Sequence, residues 1–317
     1  MGARPDRDRG LGDAPLRADA DAEPLRGDLA AGVRSLRDGE VDAAIASLRR
    51  HLQAHPKSAL ALYHLGLCAL QQDRRDEARK LFEAALALQP QLHGAASNLG
   101  ALYLEAGEDI AALQSLQQAQ QLAPQDPRVL VNLAAALLRR GLWSEAIEVL
   151  QEARELAPGH GTLLYNFALA WMERYEYTKA MELLDEALVY RPRFALARAL
   201  RVVCLHEQGR LAEATEYAKL SLQEVGEPSA DLHIVLGRTL VASGKVKEAR
   251  AALEQATVID KGSAPAQLAL GELLDAAGAR AQATHWYSLY LKNPLRSPDD
   301  AKRIRQRLKQ LQAAQGS

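Results

Sequence analysis

The sequence predicts an all-α solenoid of about eight helical hairpins that ends in a capping helix. Three observations support this prediction. The stretch from Ala59 to Pro90 has the apolar spacing of two amphipathic helices. The same residue classes return with a period of 34 residues, so that a proline closes successive units at positions 90, 124, 158 and 192. Large and small apolar residues alternate inside each unit, which is typical of stacked helical repeats.

The composition provides the core that such an array needs. Apolar residues make up 48% of the 317 residues and aromatic residues only 5%, so small and aliphatic side chains must form the helix contacts. With 39 basic and 40 acidic residues, the chain has no overall field that would attract nucleic acid or anionic lipid. No apolar run approaches the length of a membrane span, and the first residues lack an apolar signal segment. We therefore expect a cytoplasmic protein that does not insert into membranes.

Taken in order, the chain begins with residues 1–24, which are rich in Arg, Asp, Gly and Pro and are expected to form a disordered arm. Repeat 6 departs from the pattern, because Arg198 and Arg201 replace leucine and the closing proline is displaced to Pro228. We interpret this as a local irregularity in one continuous array; two domains with a hinge near Gly226 are the alternative. The repeats are expected near residues 25–58, 59–92, 93–126, 127–160, 161–194, 195–229, 230–263 and 264–296.

Residues 297–314 are predicted to form the capping helix. Ser297 is a good N-cap, and Pro298 follows it at the first helical position. One face is apolar and the opposite face is basic, which suits a helix that covers the last repeat. A basic amphipathic helix also suits a membrane surface or RNA, but no partner feature elsewhere supports either. The apolar face consists of Ala301, Ile304, Leu308 and Leu311.

Small residues recur where the two helices of each unit must cross. Glycine inside a helix costs about 1 kcal/mol relative to alanine, so its repetition at one position requires a packing reason. Removing side-chain volume there would let the two helices approach closely. Both cysteines, Cys68 and Cys204, occupy equivalent positions and are expected to be small buried thiols. The crossing position holds Gly66, Gly100, Ala134, Ala168, Gly237 and Gly271.

These residues resemble the tetratricopeptide repeat family. Its pattern, W-x2-L-G-x2-Y, then A-x3-F-x2-A, then P, is met best by the second repeat, with Leu65, Gly66, Ala78, Phe82 and Pro90. The resemblance implies a right-handed superhelix whose first helices line a concave groove and whose second helices lie outside. Members of the family bind peptides and proteins and are rarely enzymes by themselves, so the resemblance implies a non-catalytic binding protein.

One position on the first helices predicts a binding surface. It holds Asn98, Asn132 and Asn166 in three consecutive repeats and His64 in the repeat before them. An asparagine amide presents an acceptor and two donors, which match the main chain of an extended peptide. The alternative is that these amides bond locally or to water.

The predicted column of amides is similar to the asparagine ladder in the repeat region of O-linked N-acetylglucosamine transferases, although the sequence has no counterpart of their catalytic domain. Four further residues are expected to line the same groove. They are Tyr63, Tyr165, Arg128 and Leu169.

No motif in the sequence supports catalysis, a cofactor or a metal. His51 and His55 have the spacing of a metal pair, but the segment lacks the glutamate of HExxH and a third ligand. We expect a scaffold or adaptor that captures a peptide segment of a partner protein in the concave groove. The alternative function is a structural subunit of a larger assembly, such as a secretion, pilus or motility machine, that uses its convex or edge surfaces. The repeats do not encode the partner's identity or the oligomeric state.

Overall fold

The computed structural model of the protein describes residues 26–294 and 296–313. The predicted N-terminal arm, residues 1–24, lies outside the described residues. Within the described residues the chain forms seventeen α-helices and no strand. Sixteen of these helices pair into eight hairpins, and the seventeenth follows the last hairpin. The predicted all-α solenoid fold is therefore confirmed.

The chain divides into two compact units between Pro158 and Gly159, so Gly226 lies inside the second unit. The first unit contains α1 (Gly27–Arg37), α2 (Val41–Ala54), α3 (Ala59–Gln71), α4 (Arg75–Leu88), α5 (His93–Ala106), α6 (Asp109–Leu122), α7 (Pro127–Arg139) and α8 (Trp143–Leu156). The second unit contains α9 (Gly161–Glu173), α10 (Tyr177–Tyr190), α11 (Ala195–Glu207), α12 (Leu211–Val225), α13 (Ala230–Ala242), α14 (Val246–Ile259), α15 (Ala264–Ala276), α16 (Arg280–Lys292) and α17 (Pro298–Ala313).

Each hairpin turns through one residue in the left-handed region of backbone space. Glycine takes this position in six of the eight hairpins. The exceptions are Asp73 in hairpin 2, with φ 57°, and Tyr175 in hairpin 5, with φ 63°. Both side chains are exposed, so neither clashes with the hairpin core. The left-handed backbone conformation nevertheless strains any residue other than glycine.

The glycines inside the first helices make the close crossings possible. A Cβ atom added to Gly66 would lie 2.5 Å from Phe82 Cε1, and one added to Gly100 would lie 2.5 Å from Leu116 Cγ. Gly271 has the same relation to the Tyr287 ring, at 2.7 Å. The predicted packing role of these glycines is confirmed, because the large residue of the second helix fills the space that a side chain would need.

The two arginines of hairpin 6 replace apolar contacts with polar ones. Arg198 Nη2 donates to the carbonyl of Pro192 at 2.8 Å. Arg201 Nε donates to Asp185 Oδ1 at 2.7 Å, and its guanidinium lies 4.4 Å from the centre of the Tyr217 ring. Arg201 thereby bridges α11 to α10, and Arg198 also pairs with Glu224 of α12 at 2.5 Å. These contacts hold the irregular repeat against its neighbours.

The last helix covers the final hairpin as predicted. Ile304, Leu308 and Leu311 are buried in the core cluster that contains Tyr287. Arg307 adds a bidentate ion pair to Asp275, with distances of 2.7 and 2.9 Å. The apolar side of α17 thus replaces the neighbour that a further hairpin would have provided.

Both cysteines are free and completely buried inside first helices, Cys68 in α3 of the first unit and Cys204 in α11 of the second. Burial raises the pKa of the Cys68 thiol to about 11 and that of Cys204 to about 12. Neither thiol is therefore ionised at neutral pH.

Candidate functional site

The amide position of the first unit runs across three first helices, α3, α5 and α7. It holds His64, Asn98 and Asn132, and α5 packs directly against α7. Asn132 Nδ2 donates to Ser97 Oγ at 3.2 Å, so its amide lies against α5 beside position 98. The equal spacing of the repeats therefore places Asn98 and Asn132 on adjacent helices at the same level.

Both asparagine amides are partly buried, and each makes one hydrogen bond within the chain. Asn98 Nδ2 donates to the carbonyl of Gly94, one turn earlier in its own helix, at 2.9 Å. Among the described residues, the structure records no donor to Oδ1 of Asn98 or of Asn132. Each amide consequently keeps one carbonyl oxygen and one N–H for another molecule.

Tyr63 reaches the amino end of α5 beside Gly94, and Arg128 lies in the first turn of α7. Tyr63 is buried, and its hydroxyl occupies the space beside Gly94, where an added Cβ would lie 2.7 Å from Oη. Hydrogen bonding to Asp126 raises the pKa of the Arg128 guanidinium, and the Tyr63 hydroxyl adds a smaller contribution in the same direction. Arg128 is held by Asp126, whose carboxylate accepts from Nε at 3.1 Å and from Nη2 at 2.7 Å.

Asp126 also caps the amino end of α7. It is the N-cap of α7, where its Oδ1 accepts the Arg128 backbone N–H at 2.9 Å. Burial alone would raise the pKa of Asp126, but the hydrogen bonds and charge of Arg128 outweigh it and hold that pKa below its usual value. The carboxylate therefore stays charged and fixes the guanidinium at the start of the helix.

His64 differs from the asparagines in its surroundings. Its side chain is buried, and Nδ1 has no hydrogen-bond partner in the described part of the chain. Burial lowers the pKa of His64 to about 4, so the imidazole is neutral at neutral pH.

In the second unit, Tyr165, Asn166 and Leu169 lie on α9. Asn166 is buried, and the structure records no hydrogen bond from its amide to the described residues. Tyr165 is also buried and packs on Phe194, with ring centres 5.5 Å apart. Leu169 is partly buried one turn further along the helix.

Sequence reasoning missed two residues that shape the site of the first unit, Gly94 and Asp126. The signal for Gly94 was present, because other repeats have Leu60 and Arg128 at its position. Asp126 stands directly before Pro127, which is a typical helix start. Their contacts with Tyr63 and Arg128 join residues of different repeats and are visible only in the fold.

The described residues contain no group of three or more His, Cys, Asp or Glu side chains that could hold a metal ion. The rings of His51 and His55 lie 4.7 Å apart and are tilted by 35°. Within the same described ranges, none of the helices is long and apolar enough to cross a membrane.

Comparison with protein families identifies the repeat. Two family models described as tetratricopeptide repeat match the chain and leave no gap between residues 29 and 300. The first matches residues 29–93, 70–127 and 234–300, and the second matches residues 103–170, 138–204 and 205–262. None of the curated proteins matches the chain significantly.

Several solved structures share the fold at low sequence identity. A tetratricopeptide repeat protein from Parabacteroides merdae is 18% identical, with a TM-score of 0.65, over 78% of this chain and 97% of its own. PilW, a type IV pilus biogenesis factor, is 19% identical with a TM-score of 0.58, over 66% of this chain and 96% of its own. The pilF protein of Pseudomonas aeruginosa is 21% identical with a TM-score of 0.52, over 66% and 95%.

Proposed function

Because this chain belongs to the tetratricopeptide repeat family, we propose that it is a non-catalytic scaffold that holds an extended segment of a partner protein along its first helices. One observation carries the proposal. Asn98 and Asn132 occupy the same position on two helices that pack together, and each keeps an unused carbonyl oxygen and N–H. Such a pair suits recognition of a peptide main chain more than of any one side chain.

The spacing of the two amides fits an extended peptide. Packed helices lie about 8–10 Å apart, and an extended chain advances about 3.3 Å per residue. A strand that crosses α5 and α7 would therefore meet an amide about every third residue. Ala101 and Ala135, both partly exposed, follow the two asparagines by three residues and leave room for the strand to approach.

Residues at the amino ends of these helices would limit the strand on one side. Arg128 keeps donors that its ion pair with Asp126 does not use, and these suit peptide carbonyls. We propose that Tyr63, whose hydroxyl lies beside Gly94, shapes the same edge of the surface. We propose the same kind of role for Asn166, with Tyr165 and Leu169, on α9 of the second unit.

Asparagine substitutions test this proposal. A peptide would be selected from a displayed library of random sequences against the unchanged protein, and its dissociation constant measured by calorimetry. We expect Asn98→Ala and Asn132→Ala each to weaken binding by about 0.5–1.5 kcal/mol, because each removes one or two hydrogen bonds to the ligand. Thermal unfolding should change little, since each amide makes only one bond within the chain.

The matched control is Gln117→Ala, which removes an exposed amide from α6, a second helix. It should leave the dissociation constant unchanged. Methylation of the peptide's main-chain nitrogens at every third residue should weaken binding to the unchanged protein. Full affinity in the double variant Asn98→Ala/Asn132→Ala would exclude the proposed surface, and loss of binding only with changes on second helices would favour an assembly subunit instead.

A further inference from the structure

The polar side of α17 carries two rows of basic side chains. Arg303 and Arg307 form the first row, which faces α15. Arg303 Nη2 donates to Glu272 at 2.6 Å and to Asp300 at 2.9 Å. Arg307 donates to both carboxylate oxygens of Asp275. The charges of the first row are therefore compensated by carboxylates of the chain itself.

The second row consists of Lys302, Arg305 and Lys309, and we call it the α17 basic row. In an α-helix these three positions fall within an arc of about 60° and span about 10 Å along the axis. All three side chains are exposed, and none has a recorded hydrogen bond or ion pair with another described residue. No contact within the described part of the fold therefore explains these three charges.

The helices that pack around α17 offer the α17 basic row little negative charge. α16 packs against α17 and contains no acidic residue, and the two acidic residues of α15 are those that the first row binds. Within α17 there is none after Asp300. Asp299 remains, three residues before Lys302, so it offsets only the amino end of the row. Arg305 and Lys309 keep their positive charge without a counter-charge on these three helices.

The apolar side of α17 is not available to a membrane. Ile304, Leu308 and Leu311 are buried in the core cluster, and the large apolar residues that the described chain exposes all precede α15. A helix that binds at a membrane surface inserts its apolar side into the lipid. The α17 basic row would therefore meet a membrane through charge alone.

Nucleic acid also suits the α17 basic row poorly. α17 contains no aromatic side chain on which a base could stack. The whole chain has a net charge of −1, so a long polyanion would gain little attraction outside the row. A short acidic segment needs only the row itself.

We propose that the α17 basic row binds an acidic segment of a partner protein, with aspartate or glutamate at every second residue. Successive cations of the row are about 4.5–6 Å apart along the helix axis, and carboxylates on one face of an extended segment are about 7 Å apart. The long, flexible side chains bridge this small difference. Arg305 binds a carboxylate with two parallel N–H groups, while Lys302 and Lys309 each provide a compact charge.

The test uses a fluorescein-labelled peptide in which glutamate alternates with glycine and serine, and it measures anisotropy with the full chain at low salt. We expect Lys302→Gln/Arg305→Gln/Lys309→Gln to weaken binding at least about fivefold, because it removes all three cations. The salt dependence of binding should become flatter in the same variant. Its melting temperature should change little, since the three side chains are exposed and have no recorded partner among the described residues.

The matched control is Arg49→Gln/Lys80→Gln/Lys247→Gln, which removes one arginine and two lysines from exposed positions on α2, α4 and α14. Both triple variants remove the same amount of positive charge, so general attraction would weaken binding equally in both. The control should bind the peptide nearly as well as the unchanged protein does, and the same peptide with glutamine in place of glutamate should not bind. Unchanged binding by the α17 variant, or an equal loss in the control, would overturn the proposal.

Two further probes are measured with the same proteins. They are vesicles of phosphatidylcholine with phosphatidylserine, and a labelled single-stranded oligouridylate. Each should bind no more tightly to the unchanged protein than to the α17 variant. Binding of either probe that is tighter than that of the peptide, and that is lost in the α17 variant, would overturn the choice of an acidic protein segment. The α17 basic row lies on a different helix from the amide position, so either proposal can fail without the other.

Discussion

Three residues that share one repeat position differ in their hydrogen bonds and in their burial. Asn98 uses one N–H inside its own helix, Asn132 uses one to bond the neighbouring helix, and His64 is buried without a partner for Nδ1. The repeat position alone does not determine which hydrogen bonds each side chain makes. Burial distinguishes His64, because a desolvated imidazole strongly resists protonation.

His64 should make the first unit sensitive to acid. Its pKa is about 4 in the folded chain against 6.5 as the usual value. Below pH 6.5 the unfolded chain therefore takes up a proton that the folded chain refuses. The contribution to the free energy of unfolding is complete above pH 6.5 and falls by up to roughly 3 kcal/mol as the pH drops to 4. Denaturant titrations at pH 7 and pH 4.5 measure this fall.

The variant His64→Asn introduces the residue that three other repeats have at this position. It should lose less stability between pH 7 and pH 4.5 than the unchanged protein, because asparagine does not titrate. The control is His55→Asn, which changes an exposed histidine in the same unit. An identical loss in His64→Asn and the unchanged protein would show that His64 takes up its proton without unfolding.

The sequence predicted which residues share the amide position but not which atoms each amide meets. The 34-residue period is sufficient to align Asn98 with Asn132, since identical hairpins stack in register. Whether an amide turns toward Gly94 O or Ser97 Oγ depends on side-chain rotamers and on the neighbouring helix. Those atoms belong to other turns or other repeats, so the repeat pattern does not specify them.

At the scale of one hairpin, the helix crossing depends on a match between a glycine and a large residue. Gly100 faces Leu116 on the second helix of the same hairpin, and both are buried. Helix propensity alone would favour alanine at position 100 by about 1 kcal/mol. The contact with Leu116 reverses this preference, because the added methyl group has no space.

We expect Gly100→Ala to destabilise the protein by about 1–3 kcal/mol through overpacking. The substitution Leu116→Ala alone should cost about 2–5 kcal/mol by leaving a cavity. The double variant should cost clearly less than the sum, because the new methyl group occupies part of the space that leucine left. Chemical denaturation of the four proteins gives the coupling, with Gln114→Ala on α6 as the exposed control. Additive costs would mean that the two positions do not share the crossing.

The irregular hairpins mark the limit of sequence reasoning at this scale. Arg198 and Arg201 break the repeat pattern visibly, but their partners Asp185 and Glu224 lie on second helices of two different hairpins. Pairings of that kind follow from the stacking, and many acidic residues would have been equally acceptable candidates. Tyr175 is similar, since the pattern predicts a turn there but not a tyrosine in its left-handed position.

At the scale of the whole molecule, the capping helix protects the end of the second unit. Ending the chain at residue 296 removes Ile304, Leu308 and Leu311 from the core cluster and exposes the surface they cover. Each buried side chain of this size contributes about 1.5–3 kcal/mol. We expect faster hydrogen exchange in hairpins 7 and 8, with an effect that declines toward hairpin 5, because each repeat contacts mainly its neighbours.

The control for this truncation is Arg307→Gln, which breaks the ion pair with Asp275 but keeps the apolar side of α17. Because the Arg307 side chain is about half exposed, the loss of stability should be small beside that of the truncation. If α17 stabilised the second unit mainly through charge, Arg307→Gln would cost nearly as much as the truncation. Uniform exchange throughout the second unit after truncation would show that its hairpins open together.

The division of the chain into two units was not predicted from the sequence. Pro158 closes its repeat in the same way as Pro90 and Pro124, and the next repeat begins with the usual residue classes. The predicted irregularity lay at repeat 6, which the structure includes within the second unit. The repeat pattern reflects the contacts that all repeats share. A boundary at which the residue classes stay the same is therefore not visible in the pattern.

The two buried thiols make each unit report on its own opening. An alkylating reagent reacts with thiolate, and burial keeps both Cys68 and Cys204 protonated while their helices stay packed. Modification under native conditions therefore measures how often the surrounding hairpin exposes its interior. Since one cysteine lies in each unit, a single labelling time course followed by peptide mass analysis gives two independent opening rates from the unaltered chain.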